Sequence, residues 1–557
     1  MAFYHRFVQE QLDDQGALVD FPLVAPEHFN FGYDVVDAMA QETPDKRALV
    51  WCNARHEERF FNFRELSDLS TQAANVFASY GIQKGDRVML LLKRHYEYWY
   101  ALVGLHKLGA VAIPATNLLS APDLAYRINA AQVAAVVTTP EDGTPDALLQ
   151  IRPQCPSLRH LFIVRAPKEG FVDFTAACAQ ASPSMERVNT DVRDPMLLYF
   201  TSGTTAQPKA VLHDFSYPLA HIITARYWQN VQEDGLHLSI SDTGWGKASW
   251  GKIYGQWLCG CAVMVYDYDQ FSPRAITHVI RKYGVNTFCA PPTVFRYLIR
   301  QHISREDFGQ VSYITTAGEA LNPEVAKQFE SMTGLHIHEG FGQTESVLIL
   351  GNLAGDPPRA GNSIGRASPL YHVAVLNSDG TPTPDGEVGE LVILKREDRP
   401  QYGIFMGYGG APLDGSTVWQ DGVYHTHDLV TRDPDGYFHY VSRTDDVIKS
   451  CGYRVSPFEV ESVLMEHPAV MECAVTGIPD PGRGYALKAS IVLSPGFSPD
   501  EGLKKELNRY CRDNLAVYKR PRSIVFADQL PKTVSGKIRR AEIRQADQAK
   551  GQDAGTH

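Results

Sequence analysis

The first part of the chain alternates between two apolar patterns, and this alternation limits the folds that it can adopt. In "RELSDLSTQAANVFASYG" the apolar residues from Leu66 to Phe77 recur at the spacing of one helical face, and the segment ends at Gly81. The run "VMLLL", 88–92, then predicts a buried strand, and "YWYALVGLHKLGAVAIP", 98–114, predicts a second helix and strand. Strands that alternate with helices form parallel sheets covered by helices, so we predict an α/β fold of layered subdomains.

The pattern changes in the C-terminal part. The segment 372–394, "HVAVLNSDGTPTPDGEVGELVIL", predicts antiparallel strands around Asp-Gly turns, and hence a β-rich subdomain. Beyond it, two helical patterns and two apolar strands predict a small α+β unit, and the polar residues at the end predict a frayed terminus. We therefore predict a large N-terminal domain over 1–442, a hinge over 443–447 and a C-terminal domain over 448–557.

Composition excludes several classes of protein. The chain has 557 residues and a net charge of −11, which disfavours a general nucleic-acid or anionic-membrane binder. No apolar run is long enough to span a bilayer, and the charged start has no apolar leader segment. The nine cysteines are too sparse for a disulfide framework and form no Cys-x-x-Cys pair. These features predict a cytoplasmic protein with reduced thiols, which binds no nucleic acid and has no transmembrane segment.

A polar loop in "LLYFTSGTTAQPKAVLH", 197–213, predicts a phosphate site. Hydroxyl and backbone donors from Thr201 to Thr205 suit anionic oxygens, and Lys209 adds a positive charge. The loop is not a P-loop, because Pro208 precedes the lysine where that motif needs Gly, and Ala210 follows it where the motif needs Ser or Thr. A plain polar turn between strands is the alternative.

Four further segments carry candidate site residues. In "HEGFGQTES", 338–346, glycines permit close approach of a planar ring, and Glu345 suits Mg²⁺. Asp428 suits the hydroxyls of a ribose, and Arg443 and Asp445 lie at the predicted domain boundary. Lys537 follows a flexible Ser-Gly in "PKTVSGKIRR", 531–540. Taken singly, these segments also fit a glycine-rich loop, a turn, a linker and a solvated basic tail.

The order and spacing of these segments resemble one known family. "YFTSGTTAQPK", "GFGQTES", "SRTDDVIKSCGYR" and "PKTVSGK" together resemble the adenylate-forming superfamily of acyl-CoA synthetases, firefly-luciferase-type enzymes and peptide-synthetase adenylation domains. The resemblance covers nearly the whole chain. "SDTGWGKASWGKIYGQW" and "APPTVFRYL" are most similar to the medium-chain and branched-chain acyl-CoA synthetases.

This resemblance implies a two-step ligase with ATP, Mg²⁺ and CoA. A carboxylate attacks the α-phosphorus of ATP to give acyl-adenylate and pyrophosphate, and the thiol of CoA then attacks the acyl carbon and releases AMP. The implied catalytic residues are Lys537, Thr344 and Glu345, the last as the metal ligand. The implied ATP and AMP ligands are Thr201, Ser202, Gly203, Thr204, Thr205, Lys209, Gly318, Glu319, Ala320, Glu339, Gly340, Phe341, Gly342, Gln343, Thr344, Asp428, Arg443 and Arg454.

The resemblance also implies a mobile C-terminal domain. It rotates about Asp445 between the two steps, withdrawing Lys537 and presenting a face for CoA. The residues implied on that face are Cys451, Gly452, Tyr453 and Arg483, and the local basic charge adds Arg520 and Arg522. Local basic charge near Arg520 suits the CoA phosphates, although a solvated basic face is the alternative.

The acyl pocket is expected beside Gly342. Acetyl-CoA synthetases carry Trp at that place, so its absence is expected to leave room for a longer or branched acid. The other pocket residues implied by the resemblance are Trp245, Lys247, Trp250 and Gly251. Two indoles would limit the depth, which favours a medium or branched chain. The alternative is that one or both tryptophans belong to the core.

Two departures from the family pattern stand out. Ala206 replaces a Gly in the phosphate loop, and His427 replaces the Gly of a Thr-Gly-Asp. Neither departure removes a charged residue of the predicted site, so we expect an active acid:CoA ligase. A homo-oligomer is a further expectation. The alternatives are an adenylating enzyme that loads a separate carrier protein and a non-catalytic acyl-adenylate sensor. Retention of Glu345 and Lys537 argues against the sensor.

Overall fold

The computed structural model of the protein describes residues 2–201, 207–356, 363–409, 418–450, 453–480, 484–532 and 537–553. In this part of the chain, no helix has the length and apolar character required to cross a membrane.

The described strands number twenty-eight. They are β1 (Gln11–Leu12), β2 (Leu18–Asp20), β3 (Arg47–Asn53), β4 (Glu58–Asn62), β5 (Arg87–Leu91), β6 (Val111–Pro114), β7 (Ala135–Thr138), β8 (His160–Ile163), β9 (Val172–Asp173), β10 (Pro195–Thr201), β11 (Lys209–Asp214), β12 (Leu236–Ser239), β13 (Ala262–Asp267), β14 (Thr287–Cys289), β15 (Tyr313–Thr316), β16 (Ile337–Phe341), β17 (Leu350–Gly351), β18 (Ser363–Ala367), β19 (His372–Leu376), β20 (Gly389–Leu394), β21 (Gly407–Tyr408), β22 (Val423–Arg432), β23 (Phe438–Arg443), β24 (Ile448–Ser450), β25 (Tyr453–Val455), β26 (Val470–Asp480), β27 (Gly484–Leu493) and β28 (Ser523–Phe526).

Fifteen α-helices are found in the same residues. They are α1 (Ala38–Glu42), α2 (Phe63–Ser79), α3 (Glu97–Leu108), α4 (Ala121–Ala130), α5 (Thr144–Ile151), α6 (Phe174–Gln180), α7 (Tyr217–Ile222), α8 (Gly246–Gly251), α9 (Tyr254–Leu258), α10 (Pro273–Tyr283), α11 (Pro292–Ile299), α12 (Pro323–Thr333), α13 (Pro457–Met465), α14 (Glu501–Asn514) and α15 (Arg540–Asp553).

Two large sheets form the N-terminal body. The first has the order β21-β11-β10-β6-β5-β7-β8-β9, with parallel pairing from β10 through β9. The second has thirteen strands in the order β19-β20-β22-β23-β18-β17-β16-β15-β14-β12-β13-β3-β4. Its central strands pair in parallel, whereas β16 through β20 pair antiparallel. The predicted layered α/β body with a β-rich subdomain is therefore confirmed.

The early helices begin and end where the sequence indicates. Asn62 and Glu65 form a reciprocal capping box at the start of α2. After that helix Gly81 has a left-handed φ of 74°, and Gly109, with φ of 71°, caps α3. All twelve residues of α3 are buried, so this helix lies wholly within the body and not on its surface.

A small α+β unit follows residue 447. Strands β24 to β28 form one five-stranded sheet, and apolar residues of this sheet, α13 and α14 make a separate core. The predicted small C-terminal domain is confirmed as a fold, while its boundaries at 442 and 447 stay a prediction. The expected frayed terminus is wrong as far as residue 553, since α15 continues to Asp553. Burial of Ile543 and ion pairs of Arg540 and Arg544 hold the helix in place.

Candidate active site

The phosphate loop connects two antiparallel strands. Thr201 ends β10, pairs with Lys209 at the start of β11, and donates its hydroxyl to the Lys209 carbonyl over 3.4 Å. Ser202, Gly203, Thr204, Thr205 and the departing Ala206 lie outside the described residues. The element after the loop is a strand, so the helix N-terminus that a P-loop uses is not present at Lys209.

The proposed catalytic loop leaves β16 at Phe341 and is anchored from behind. The ring of His213, near the end of β11, donates Nε2–H to the Thr344 carbonyl over 2.7 Å. A carbonyl only accepts, so Nε2 carries the proton, and burial lowers the pKa of His213 to about 4. A neutral imidazole therefore fixes the main chain at Thr344, whose side chain lies next to Gly246.

One neighbouring segment, which contains Phe405 and Tyr408, holds both the main chain and the side chain of Glu345. Its carbonyl accepts the Phe405 N–H over 2.8 Å, and its Oε1 accepts the Tyr408 hydroxyl over 3.2 Å. Within the described part of the chain, its second carboxylate oxygen makes no hydrogen bond. One half-buried carboxylate with a free oxygen fits Mg²⁺, which binds few protein groups and shares its shell with phosphates. No cluster of three or more metal-ligating side chains is found among the described residues.

The proposed ribose ligands lie opposite each other on neighbouring strands. Asp428 of β22 pairs with Arg443 of β23, and Arg443 Nη1 lies 3.4 Å from Asp428 Oδ2. Gln343 donates to the same oxygen over 2.7 Å, which links the catalytic loop to this pair. Burial raises the pKa of Asp428 to about 6, opposed by Arg443, Gln343 and Lys537. The sequence segments are 85 residues apart, yet their side chains meet.

Lys537 of the C-terminal domain faces this site. Its charge acts on Asp428, as the pKa of that carboxyl indicates, and also on Lys247. Burial is the main cause that lowers the pKa of Lys247, and repulsion from Lys537 adds to it. Lys247 Nζ donates to the Ala317 carbonyl over 2.6 Å, directly before the predicted adenine loop. Lys537 therefore lies close to both the ribose pair and the predicted acyl pocket.

The predicted adenine segment is fixed by two glutamates. Glu319 accepts the Thr293 hydroxyl and lies 3.7 Å from Arg296, whereas Glu339 accepts the Leu321 N–H over 2.9 Å. Burial raises the pKa of Glu339 to about 8. Gly318 has a left-handed φ of 103° and open space where a Cβ would stand, as a flat ligand surface requires. Ala320 lies between Glu319 and Leu321, the two residues that these contacts hold in place.

Two indoles fill the space expected beside the glycines of the catalytic loop. A Cβ on Gly340 would lie 2.4 Å from the Trp228 ring, and one on Gly342 would lie 2.4 Å from Trp250. The expectation that the missing indole at Gly342 leaves open room is therefore corrected, since Trp250 takes that room. Trp250 is 6% exposed and packs edge-to-face on Trp228.

The other predicted pocket residues differ in burial. Trp245 is half-buried directly before α8, next to the half-buried Lys247. Gly251 packs against Ser239, whose Cβ would lie 2.7 Å from an added methyl group. Gly251 thus contacts the core strand β12, and Trp245 and Lys247 remain the accessible members of this set.

The predicted CoA face carries exposed aromatic and basic groups. Tyr453 is 54% exposed and stacks on Tyr518 at 4.3 Å, and Arg454 and Arg522 are exposed. Arg520 donates to the carbonyls of Arg512 and Leu515, so its guanidinium caps the end of α14. Cys451, Gly452 and Arg483 lie outside the described residues.

The predicted hinge residue, Asp445, forms an ion pair with Arg443 of the predicted ribose ligands. Asp445 is exposed, and its Oδ1 lies 3.5 Å from Arg443 Nε. The next residue, Asp446, instead pairs with Arg540 and Arg544 of α15, and Arg540 also binds the buried Glu461. Adjacent aspartates thus face opposite domains.

His427 has a backbone conformation that favours glycine, and hydrogen bonds hold it there. Its φ of 59° lies in the left-handed region, where the glycine of the family pattern would be free of strain. Its N–H donates to Glu390 Oε1 over 3.0 Å, and its carbonyl accepts the Thr444 N–H. These bonds hold an irregularity in the pairing of β22 with β20, directly before Asp428.

Sequence reasoning missed several residues at this site. His213 and Tyr408 position the catalytic loop, and Asn322 of the large domain donates to the Ser462 carbonyl of α13 over 3.3 Å. His213 ends a quoted motif, but nothing in the sequence pairs it with Thr344. Tyr408 and Asn322 carry no signal beyond a Gly-Tyr and an Asn-Pro turn.

Known proteins are similar to this chain in both sequence and architecture. The AMP-binding enzyme model matches residues 36–408, and that of the AMP-binding enzyme C-terminal domain matches 459–537. The acyl-coenzyme A synthetase ACSM3, mitochondrial, of Rattus norvegicus is 38% identical over 95% of this chain and 92% of its own.

Two solved structures resemble the whole chain. Brucella canis acyl-CoA synthetase has a TM-score of 0.71 at 32% identity, covering 94% of this chain and 95% of its own. The anthranilate CoA ligase AuaEII, solved with anthranoyl-AMP, has a TM-score of 0.85 at 26% identity, covering 95% of this chain and 99% of its own. With a shared fold and family-model matches over 36–408 and 459–537, this chain belongs to the AMP-binding enzyme family.

Proposed function

We propose that this protein is an ATP-dependent acid:CoA ligase that forms an acyl-adenylate and then an acyl-CoA. The observation that carries this proposal is the meeting of Gln343, Asp428 and Arg443. The charge of Lys537 acts on this group at Asp428, and on Lys247. A cation contributed by a second domain, between a ribose ligand and a predicted acid pocket, suits the joining of a carboxylate to a nucleotide. The relatives named acyl-CoA synthetase and anthranilate CoA ligase support the same reaction.

In the first step, the residues of the site supply positive charge and orientation. Lys537 draws the incoming carboxylate toward the α-phosphorus, and Thr344, fixed by His213, contacts the α-phosphate. Lys209 holds the departing phosphates. When bound, Mg²⁺ neutralises phosphate charge, and Glu345 is the residue that would hold it. Asp428 and Arg443 orient the ribose.

In the second step, the thiol sulfur attacks the acyl carbon and the bond to AMP breaks. The thiol loses its proton and AMP leaves as an anion. We propose that the small domain turns about Asp445, so that Lys537 withdraws and the Tyr453 face comes to the site. Arg522 is exposed and can contact a phosphate, whereas the guanidinium of Arg520 is held by carbonyls at the end of α14.

The acid is proposed to be of medium length or branched. Trp245 and Lys247 are the accessible members of the predicted pocket, and Trp250 closes the space at Gly342. We also propose a cytoplasmic location, a homo-oligomeric state and a role in fatty acid metabolism. The relatives ACSM3 and ACSM5 are named as mitochondrial proteins.

An acid panel tests the function. Purified protein is given ATP, Mg²⁺ and short, medium, branched or aromatic acids, with and without CoA, and AMP, pyrophosphate and thioester are measured. We expect thioester with at least one medium or branched acid. AMP release with no thioester formed in the presence of CoA would contradict a CoA ligase and favour a carrier-loading enzyme.

Lys537→Ala separates the two steps. We expect adenylation to fall by roughly a hundredfold or more, the loss seen when one contact to developing charge is removed. Thioester formation from supplied acyl-adenylate should persist, because Lys537 is withdrawn in that step. Equal loss of both steps would contradict the proposed domain rotation, and Lys532→Ala, which removes a lysine paired with Glu472, is the matched control.

A further inference from the structure

We propose that Tyr408 is a positioning residue that serves both charged groups of the phosphate site. Its hydroxyl orients the Glu345 carboxylate, and its ring supports the Lys209 ammonium, so that neither group pairs with the other. This inference rests on the proposed function, since it gives Glu345 the metal and Lys209 the phosphates.

The main chain fixes Tyr408 beside the phosphate loop. Strand β21 pairs antiparallel with β11, with Tyr408 opposite Val211. The flanking residues extend this pairing, since Met406 N–H donates to Leu212 and Gly409 N–H donates to Ala210. Gly409 lies tightly on Ala210, where an added Cβ would come within 3.0 Å of the alanine methyl. The main chain of Tyr408 is therefore fixed relative to β11, the strand that starts at Lys209.

The hydroxyl controls one of the two oxygens of Glu345. It donates to Oε1 over 3.2 Å, and the Phe405 N–H holds the Glu345 main chain on the same side. The hydroxyl is the donor in this contact, because an ionised carboxylate oxygen only accepts. The outward oxygen is left to face a cation, in a fixed orientation.

The ring of Tyr408 contacts the ammonium of Lys209. Lys209 Nζ lies 4.8 Å from the ring centroid, within the range of an attractive contact between an ammonium and an aromatic face. Lys209 is exposed, so its long side chain would otherwise sample many positions. The ring therefore limits the positions that the ammonium samples.

The two roles combine in a third. Lys209 and Glu345 carry opposite charges and both contact Tyr408, one at the ring and the other at the hydroxyl, and no ion pair joins them within the described residues. A direct pair would neutralise both groups and withdraw them from phosphate and metal. Because each group contacts Tyr408 instead of the other, each keeps its charge available to a ligand.

Three variants separate these roles. Tyr408→Phe removes the hydroxyl and keeps the ring, whereas Tyr408→Leu removes both. Tyr402→Phe is the matched control, because Tyr402 lies in the same segment and its ring contacts Arg193, away from the site. Circular dichroism and thermal melting establish that each variant is folded.

Binding is measured without turnover, by calorimetry with Mn²⁺·ATP and with metal-free ATP, and by the electron paramagnetic resonance of bound Mn²⁺. We expect Tyr408→Phe to weaken Mn²⁺·ATP about fivefold, as for one lost hydrogen bond, and to leave metal-free ATP unchanged. Tyr408→Leu should weaken metal-free ATP as well. Tyr402→Phe should match the wild type in both.

The outcomes are distinguishable. If Tyr408→Phe binds Mn²⁺·ATP as the wild type does, the role of the hydroxyl is refuted while the proposed function stands. If Tyr408→Leu equals Tyr408→Phe with metal-free ATP, the role of the ring is refuted. Failure of the wild type to bind Mn²⁺·ATP at all would overturn both the inference and the proposed function.

Discussion

Asp428 carries its charge only under conditions that its surroundings set. It is 4% exposed, and burial raises its pKa to about 6, well above the value of a free aspartate. A raised carboxyl pKa means that the negative charge is lost as pH falls through about 6. We expect the KM for ATP to rise below that pH by up to about tenfold per pH unit, because protonated Asp428 no longer accepts ribose hydroxyls.

Asp428→Asn is the control for this pH dependence. The amide cannot ionise, so the variant should have a raised KM for ATP that is nearly constant between about pH 5 and about pH 7. The ratio of wild-type to variant KM removes the titration of ATP itself, which both proteins share. A ratio that does not change with pH would refute the role of Asp428 ionisation.

For individual residues, the sequence predicts which side chains belong to the candidate site better than it predicts which residues they contact. Thr344, Glu345, Asp428 and Lys537 were predicted from residue type and motif, and their assigned roles stay predictions. The bond from His213 to Thr344 could not be predicted, because it joins residues 131 positions apart through the pairing of separate elements. The free room at Gly342 was predicted wrongly, since local sequence does not show which neighbouring side chain fills a glycine.

Helix α3 depends on a cation inside the body. Lys107 has a fully buried side chain, and its Nζ donates to Asp37 Oδ1 over 2.6 Å, to Thr71 over 2.7 Å and to the Ser67 carbonyl over 3.1 Å. The aliphatic stem packs on Gly32, where an added Cβ would lie 2.5 Å from Lys107 Cγ. This one side chain therefore joins α3 to α2 and to the turn before α1.

We expect Lys107→Met to lower the free energy of unfolding by about 3 kcal/mol, because it leaves Asp37 without its cation. The value is at the lower end of that range, since Asp37 is 21% exposed. The double variant with Asp37→Asn should recover part of the loss, because no uncompensated charge remains. Urea unfolding or thermal melting measures both. Equal stability of the single and double variants would refute this account.

Helices α3 and α15 show what periodicity can and cannot predict. The end of α3 at Gly109 follows from local rules, since a left-handed glycine caps the helix. Polar composition predicted no helix for α15, but its stability comes from tertiary contacts. Arg540 reaches Glu461 and Asp446, and Ile543 is buried against the C-terminal sheet.

Across the whole molecule, Asn322 joins the two domains in this arrangement. Its Oδ1 caps α12 by accepting the Glu324 N–H over 2.8 Å, while its Nδ2 donates to the Ser462 carbonyl over 3.3 Å. Ser462 lies on α13 of the small domain. If that domain rotates, this second bond breaks, so it favours the arrangement in which Lys537 faces the site.

Asn322→Asp isolates the bond between domains, because aspartate keeps the cap and loses the donor. We expect adenylation to slow by about fivefold, the value of one hydrogen bond, with no loss of thioester formation from supplied acyl-adenylate. Rapid-quench measurement of each step checks this. Asn322→Ala should additionally lower stability through loss of the cap. Equal slowing of both steps by Asn322→Asp would refute the latch.

The architecture of the molecule follows from sequence more readily than its domain contacts do. Alternating patterns predicted the α/β body and the small α+β unit, and both are confirmed. The meeting of Asn322 with Ser462 depends on how two folded units dock, and neither unit alone carries that information. Motifs identified the family because several weak segments occur in a fixed order.

The contact between Gly342 and Trp250 also bears on how acid preference can evolve. Any side chain added at 342 collides with an indole at 2.4 Å and with the Val347 carbonyl at 2.5 Å, so a change there requires the partner tryptophan to retreat first. The two positions are therefore epistatic. A change at position 342 therefore needs a smaller side chain at position 250 and a shift of the main chain at Val347, and made alone it destabilises the fold by overpacking.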